Sequence, residues 1–135
     1  MKASGGCLCG QLRYDIDGDP VYQYNCHCRD CQRMSGAACL PLIALPNPCV
    51  RPHGEVTWYA RRADSGRQAL EGFCARCGSR VLGAGDSLPG LMLVCAGTLD
   101  DPALFMPSAD IYTRSAPHWG RMNPALAKWA GDPDA

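Results

Sequence analysis

Apolar and polar residues alternate with a period of two along much of this chain, and helical periodicity is nearly absent until its end. Leu12, Tyr14 and Ile16 interleave with Gln11, Arg13 and Asp15, the pattern of a half-buried strand. Asp17-Gly18-Asp19-Pro20 reads as a turn, and a second strand begins over 21–24. Residues 29–34 suit one helical turn ended by Gly36. The apolar run 37–45 has strand length, and Pro41 within it predicts an edge or a bend. Pro46, Pro48 and Pro52 mark a loop, after which Val56, Trp58 and Ala60 alternate as a strand. The polar residues 61–66 predict a loop, 68–73 a strand, and 80–82 its continuation beyond a cysteine turn. Residues 83–90 are a glycine-rich turn; no strand-loop-helix context makes them a phosphate cradle. Strands follow over 91–96 and 109–113. Asn123-Pro124 is a fair helix start, and 125–130 predict a short C-terminal helix of two turns stopped by Gly131 and Pro133. Many short strands joined by Gly/Pro turns predict a mainly β fold, a single domain over 1–135 without repeat or linker.

Composition supports a packed domain: of 135 residues, 47 % are hydrophobic and 19 % charged. Thirteen basic residues balance thirteen acidic ones, which argues against a protein that coats nucleic acid or an anionic membrane. No apolar run approaches the roughly 20 residues of a membrane span. The first six residues, Met-Lys-Ala-Ser-Gly-Gly, carry no export signal, so the expected location is the cytoplasm.

Ten cysteines change the picture. In a chain without an export signal they point to metal or redox chemistry rather than disulfides. Seven fall in three clusters: Cys7-Leu8-Cys9, Cys26-His27-Cys28-Arg29-Asp30-Cys31 and Cys74-Ala75-Arg76-Cys77. Structural zinc takes four tetrahedral ligands, so Cys74 and Cys77 need partners. Cys7 and Cys9, sharing one face of an extended segment, supply them. Gly78 suits the left-handed turn that ends such a knuckle. A redox dithiol at Cys74 and Cys77 is the competing reading, but it belongs with a βαβ pattern that this sequence lacks. Cys26, Cys28 and Cys31 supply three thiolates and leave a fourth position, either open to water and substrate or closed by another protein ligand. His27, His53, His118, Cys39, Cys49 and Cys95 are the candidates to close it, with the His27 side chain expected to point away from its neighbours. The run matches none of the common iron–sulfur spacings. Cys39 and Cys95 lie in apolar runs and read as small core residues; Cys49 points to no role.

Four motifs in register resemble a known family over about residues 5–119: Gly5-x-Cys-x-Cys-Gly-x-Leu-x-Tyr14, Cys26-His-Cys-x-x-Cys-x-x-x-Ser-Gly36, Phe73-Cys-x-x-Cys-Gly-Ser79 and Gly97-Thr-Leu-Asp-Asp-Pro102. They are similar to the glutathione-dependent formaldehyde-activating (GFA) enzymes and the centromere protein V group. The resemblance implies a zinc-supported β-tent of small antiparallel sheets. It implies two zinc ions per chain, a structural one on Cys7, Cys9, Cys74 and Cys77 and a catalytic one on Cys26, Cys28 and Cys31. The implied activity is that of a carbon–sulfur lyase, condensing a thiol (glutathione by analogy) with formaldehyde or a small aldehyde. Arg29, Arg33, Ser35 and Gly36 lie beside the three-cysteine cluster and become candidate substrate contacts. Trp119 and His118 fit a core or surface role better. The sequence departs from the family in length, and in holding Asp110 where a His often precedes an Ile-aromatic pair. The implied partners are a small-molecule thiol and an aldehyde, not nucleic acid or membrane, with monomer and homodimer both open. The competing function is a zinc-stabilised binding or scaffold module without turnover.

Overall fold

The computed structural model describes residues 1–63 and 66–133. Eleven strands and one short helix are described: β1 Lys2–Gly6, β2 Arg13–Asp17, β3 Tyr22–Cys26, α1 Arg29–Ser35, β4 Leu40–Pro46, β5 Val50–His53, β6 Thr57–Arg62, β7 Gln68–Phe73, β8 Arg80–Gly85, β9 Leu91–Cys95, β10 Ala109–Ile111 and β11 Ala127–Lys128. They form a three-stranded sheet in the order β1-β2-β5 and an eight-stranded one in the order β11-β10-β3-β4-β9-β8-β7-β6. The mainly β expectation holds.

Alternation placed β2 correctly, with Tyr14 and Ile16 buried and Asp15 and Asp17 exposed. β4 is almost continuously apolar because it lies inside its sheet, between β3 and β9. Pro41 sits where only β3 is in register; β9 pairs from Leu42 onward, so proline interrupts no second ladder there. The two sheets are tied by a bridge between Gly5 and Leu99 and by a 2.8 Å hydrogen bond between the Tyr14 and Thr98 hydroxyls.

Several sequence expectations are corrected. No C-terminal helix forms. Asn123 does cap a turn, its Oδ1 accepting from the Ala125 N–H at 2.9 Å, but the turn does not propagate. A helix that short is marginal alone. Tertiary bonds prevail instead: Ala127 N–H donates to Ser108 O and Trp129 N–H to Asp110 O, which makes 127–128 a strand. Pairing is not purely antiparallel either, since β10 runs parallel to both β3 and β11. The proline-marked loop contains a 3-10 turn, Asn47–Cys49, and then β5. Pro52 is tolerated there because β5 is an outer strand. β1, rich in small residues, gave no apolar alternation to read. β8 runs on to Gly85, shortening the glycine-rich turn, and β6 runs on to Arg62; residues 64–65 of the expected polar loop lie outside the described residues.

Buried side chains form two clusters. The larger contains Leu12, Tyr14, Ile16, Ile43, Leu45, Val81, Leu82 and Val94, together with Cys7 and Cys74. The smaller contains Leu40, Leu42, Cys95, Cys26 and Cys31. Each cysteine set therefore belongs to its own cluster.

Candidate metal centres

The first cysteine set is built from two similar turns. The sequence places Cys7 and Cys9 in extended chain, and the structure corrects this: Cys7 follows the end of β1. It opens a tight turn in which its N–H donates to Leu12 O and its carbonyl accepts from Gly10 N–H, with Gly10 at φ +84°. The second turn matches it: Cys74 N–H donates to Ser79 O, and Gly78, at φ +80°, donates to Cys74 O at 2.7 Å. Left-handed backbone at both exits requires glycine, and it turns two sulfurs of each loop inward.

The four sulfurs of Cys7, Cys9, Cys74 and Cys77 all lie within 4.8 Å of one another. Cys7 and Cys9 Sγ are 3.6 Å apart, and Cys9 and Cys74 Sγ 3.8 Å. All ten cysteines are free thiols. A tetrahedron of sulfurs at 2.3 Å from zinc has edges of about 3.8 Å, so the donor set fits such an ion. Polar groups already point at the sulfurs. Leu12 N–H donates to Cys7 Sγ, Gln11 Nε2 to Cys74 Sγ, and Ser79 Oγ lies 3.2 Å from Cys77 Sγ. The Ser79 hydroxyl is the main cause that brings the Cys77 thiol down to about 5, and the Gln11 amide likewise lowers Cys74. At Cys9 a backbone hydrogen bond from Gln11 pulls the thiol down, but desolvation and the sulfurs of Cys7, Cys77 and Cys74 together push it up to about 11. Thiolates form readily until their own charge opposes the next, the situation a dication relieves.

The second set stands at the start of α1. Cys26 ends β3, Cys28 is the N-cap of α1 and accepts from the Cys31 N–H at 3.3 Å, and Cys31 lies in the first turn. Their sulfurs also lie within 4.8 Å of one another. Hydrogen bonds from Cys26 and Cys31 bring the Cys28 thiol down to about 2. The same sharing pushes Cys26 up to about 12 and raises Cys31. Among the described residues no fourth His, Cys, Asp or Glu joins this group. Cys95 is packed in the same cluster, but its sulfur accepts from Arg80 Nη1 at 3.0 Å. Cys39 is half-buried outside both sets, and Cys49 lies against Gly18. His53 is paired with Asp15 at the surface, and His118 is exposed. Two cysteine clusters that could hold metal ions are thus formed, one with four donors and one with three.

His27 points away from the sulfurs, as its position predicts. It is 2 % exposed, and its Nε2 lies 2.9 Å from Asp110 Oδ1. Asp110 also accepts from Asn25 Nδ2 and faces Lys128 Nζ at 3.1 Å. Burial pushes the Asp110 carboxyl up, but the hydrogen bonds from His27, Lys128 and Asn25 outweigh it and hold the group below the usual range. Gln32, buried in α1, donates through Nε2 to His27 O at 2.8 Å and to Ser115 O at 3.0 Å, locking the cysteine loop from behind. Tyr24 and Tyr112 pack against the smaller cluster, and burial raises both phenols. Tyr112 is also the one non-glycine among the described residues with positive φ, +55°.

The four candidate substrate contacts lie on or just after α1. Arg29 is exposed and donates to Gln32 Oε1; Arg33 is exposed in the last turn. Ser35 Oγ donates to Gln32 O and accepts from Ala37 N–H, and Gly36, at φ +67°, caps the helix. Trp119 is exposed. The charge closest in kind to a counter-ion is one the sequence pattern did not reveal: Arg61, on β6, lowers Cys28 by its field. Its signal was indirect. Glu71, an acid at a buried position of β7, demanded cationic partners, and Arg61 and Arg80 are those partners.

With this geometry established, comparison with known proteins is decisive for the family. A family model described as glutathione-dependent formaldehyde-activating enzyme matches residues 2–115. The chain belongs to the GFA family. A crystal structure of a Rhodobacter sphaeroides protein, a structural-genomics target, is similar over 93 % of this chain and 98 % of its own, with a TM-score of 0.60 and 17 % identity. At that identity the likeness concerns the fold of the GFA chain alone. Among curated proteins, none matches. No helix among the described residues is long and apolar enough to cross a membrane.

Proposed function

We propose that this GFA chain is a zinc-dependent carbon–sulfur lyase that joins a small thiol, glutathione by analogy, to formaldehyde or another small aldehyde. The observation that carries the reading is the three-thiol cluster of Cys26, Cys28 and Cys31, which no fourth side chain closes among the described residues. Under it, the chain holds two zinc ions, a structural one on Cys7, Cys9, Cys74 and Cys77 and a catalytic one on the three-cysteine set. Held by Cys26, Cys28 and Cys31 with one position open, such an ion would supply the lowering of a substrate thiol's pKa.

The protein's own groups do the rest. Cys26, Cys28 and Cys31, whose sulfurs lie within 4.8 Å of one another, would supply three ligands and leave zinc's fourth position for the substrate sulfur. His27 and Gln32 hold their loop rigid. Three thiolates leave a zinc core at minus one, so thiol delivery suits the site better than polarising a carbonyl. In the reaction the substrate sulfur forms a C–S bond to the aldehyde carbon and the C=O π bond breaks. The thiol proton ends on the new hydroxyl oxygen, so no oxidant or reductant is needed. Arg29 and Arg33 offer cations for a substrate carboxylate, and Ser35 and Gly36 offer donors from the same loop. Thiolate sites need reduced cysteines, which supports a cytoplasmic location.

A scaffold module without turnover is the second reading. It is favoured by one observation: two surface depressions, one lined by residues such as Gln68 and Leu88 and the other by residues such as Lys2 and Asp17, include no member of the three-cysteine set. NMR exchange between formaldehyde hydrate and the glutathione adduct decides between them. Exchange faster than the uncatalysed background in the wild type, reduced to background in Cys28→Ser, is the expected result. Unchanged exchange in a folded Cys28→Ser protein would sink the lyase reading.

A further inference from the structure

A chain of ionic groups, buried at Glu71 and partly exposed at Asp30, runs from β8 through β7 and β6 to the first turn of α1 and takes no part in the roles assigned so far. Glu71, on β7, is 6 % exposed. Its Oε1 accepts from Arg61 Nε at 2.8 Å, and its Oε2 accepts from Arg80 Nη2. Arg80 continues through Nη1 to Cys95 Sγ at 3.0 Å. At the other end Arg61 Nη1 donates to Asp30 Oδ2 at 2.9 Å. Asp30 lies in the first turn of α1, between Cys28 and Cys31.

Burying a carboxylate is costly, and two guanidiniums offset that cost at Glu71. Because Glu71, itself held by Arg80, fixes one side of the Arg61 guanidinium, its other side meets Asp30 in a set direction. An ordinary surface pair lacks that property, since both of its partners move freely. We propose that Arg61 is a positioning residue for the three-cysteine centre: its guanidinium bridges Glu71 to Asp30 and thereby fixes the turn that carries Cys28 and Cys31. The bridge rests on the reading that this cluster binds zinc. It uses two nitrogens on different edges of one planar group, which a lysine ammonium cannot reproduce. Outer partners of this kind govern metal affinity through the orientation of the ligands.

The test is zinc competition against a chromogenic chelator on the purified holo-protein, with the weaker equivalent assigned by its loss in Cys28→Ser. Arg61→Met and Arg61→Lys are each expected to weaken that equivalent by about tenfold while the tighter one is unchanged. Asp30→Ala removes only the partly exposed end of the bridge, acceptor and charge together, so it folds even where an Arg61 variant does not, and the same direction of change is expected. Wild-type affinity in Asp30→Ala or Arg61→Met overturns the bridge and leaves the metal reading standing. Full recovery in Arg61→Lys also overturns it, because charge alone then suffices. A wild-type chain that holds a single zinc, unaffected by Cys28→Ser, removes the metal reading and the bridge with it.

Discussion

Ser79 joins the two cysteine turns through one hydroxyl. It accepts from Leu8 N–H at 3.0 Å, which leaves its proton directed at Cys77 Sγ, 3.2 Å away. A donated hydrogen bond favours the charged form of its acceptor, which accounts for the lowered Cys77 thiol. Ser79→Ala removes the donor, so the Cys77 pKa rises and protons compete with metal sooner on acidification. The midpoint of acid-driven metal release from the four-cysteine site is expected at higher pH in the variant, read by zinc release across a pH series. Asp110 acts differently, through burial. Truncating it leaves His27 buried with neither ring nitrogen paired, since Nδ1 already lacks a partner. Asp110→Ala is expected to lose about 3 kcal/mol in urea unfolding at neutral pH. The sign with pH follows from a lowered folded pKa. The stabilisation is complete above the unfolded value of about 3.9 and is lost as pH falls through the lower folded value. The deficit of the variant is therefore largest at neutral pH and shrinks in strong acid.

At the scale of elements, the clearest case is α1, whose two ends serve different purposes. Its N-cap is a metal-ligand candidate, Cys28, and its C-cap is Gly36 in the left-handed region, closing on Gln32 O at 2.8 Å. A Cβ at Gly36 would meet nothing within 4 Å, so Gly36→Ala tests backbone strain alone. A loss of about 1 kcal/mol is expected in thermal unfolding. This helix was legible in the sequence because its determinants are local: a short run, then a glycine. β7 was legible for the same reason, its bounds matching Gln68–Phe73. β11 was not, because Asn123 and Pro124 carry a genuine start signal that bonds from Ala127 and Trp129 N–H to the Ser108 and Asp110 carbonyls override. β1 and β5 escaped because one is small-residue chain and the other proline-marked; each is a strand only by pairing with β2. The cysteine clusters were readable because close spacing brings sulfurs together, although the turn at Cys7 was not, since it depends on the Leu12 and Gly10 bonds. The ionic bridge through Arg61, Glu71 and Asp30 joins residues far apart in sequence, and no local pattern announces it.

Across the whole molecule, the two cysteine sets differ in what they hold together. Cys7 and Cys74 are part of the larger buried cluster, and their turns link the β1–β2 connection to the β7–β8 connection. Cys26 and Cys31 belong to the smaller cluster with Leu40, Leu42 and Cys95. Structural zinc contributes about 10–16 kcal/mol of apparent folding free energy in small domains. That is comparable to the whole stability of a domain, about 5–15 kcal/mol. Removal of a metal that staples the larger cluster is therefore expected to unfold the chain, whereas removal from the smaller cluster is not. Cys74→Ser should give a collapsed amide spectrum and no cooperative melt at room temperature. Cys28→Ser should keep a dispersed spectrum, with changes concentrated around α1, β3 and β10, because β10 meets the site through the His27–Asp110 contact. Titrating the wild type with chelator should then resolve two stages, loss of the weaker metal without unfolding and loss of the tighter one with it. Unfolding at the first equivalent removed would mean that the three-cysteine centre also carries the fold, and would move the division of labour between the two sites against the lyase reading.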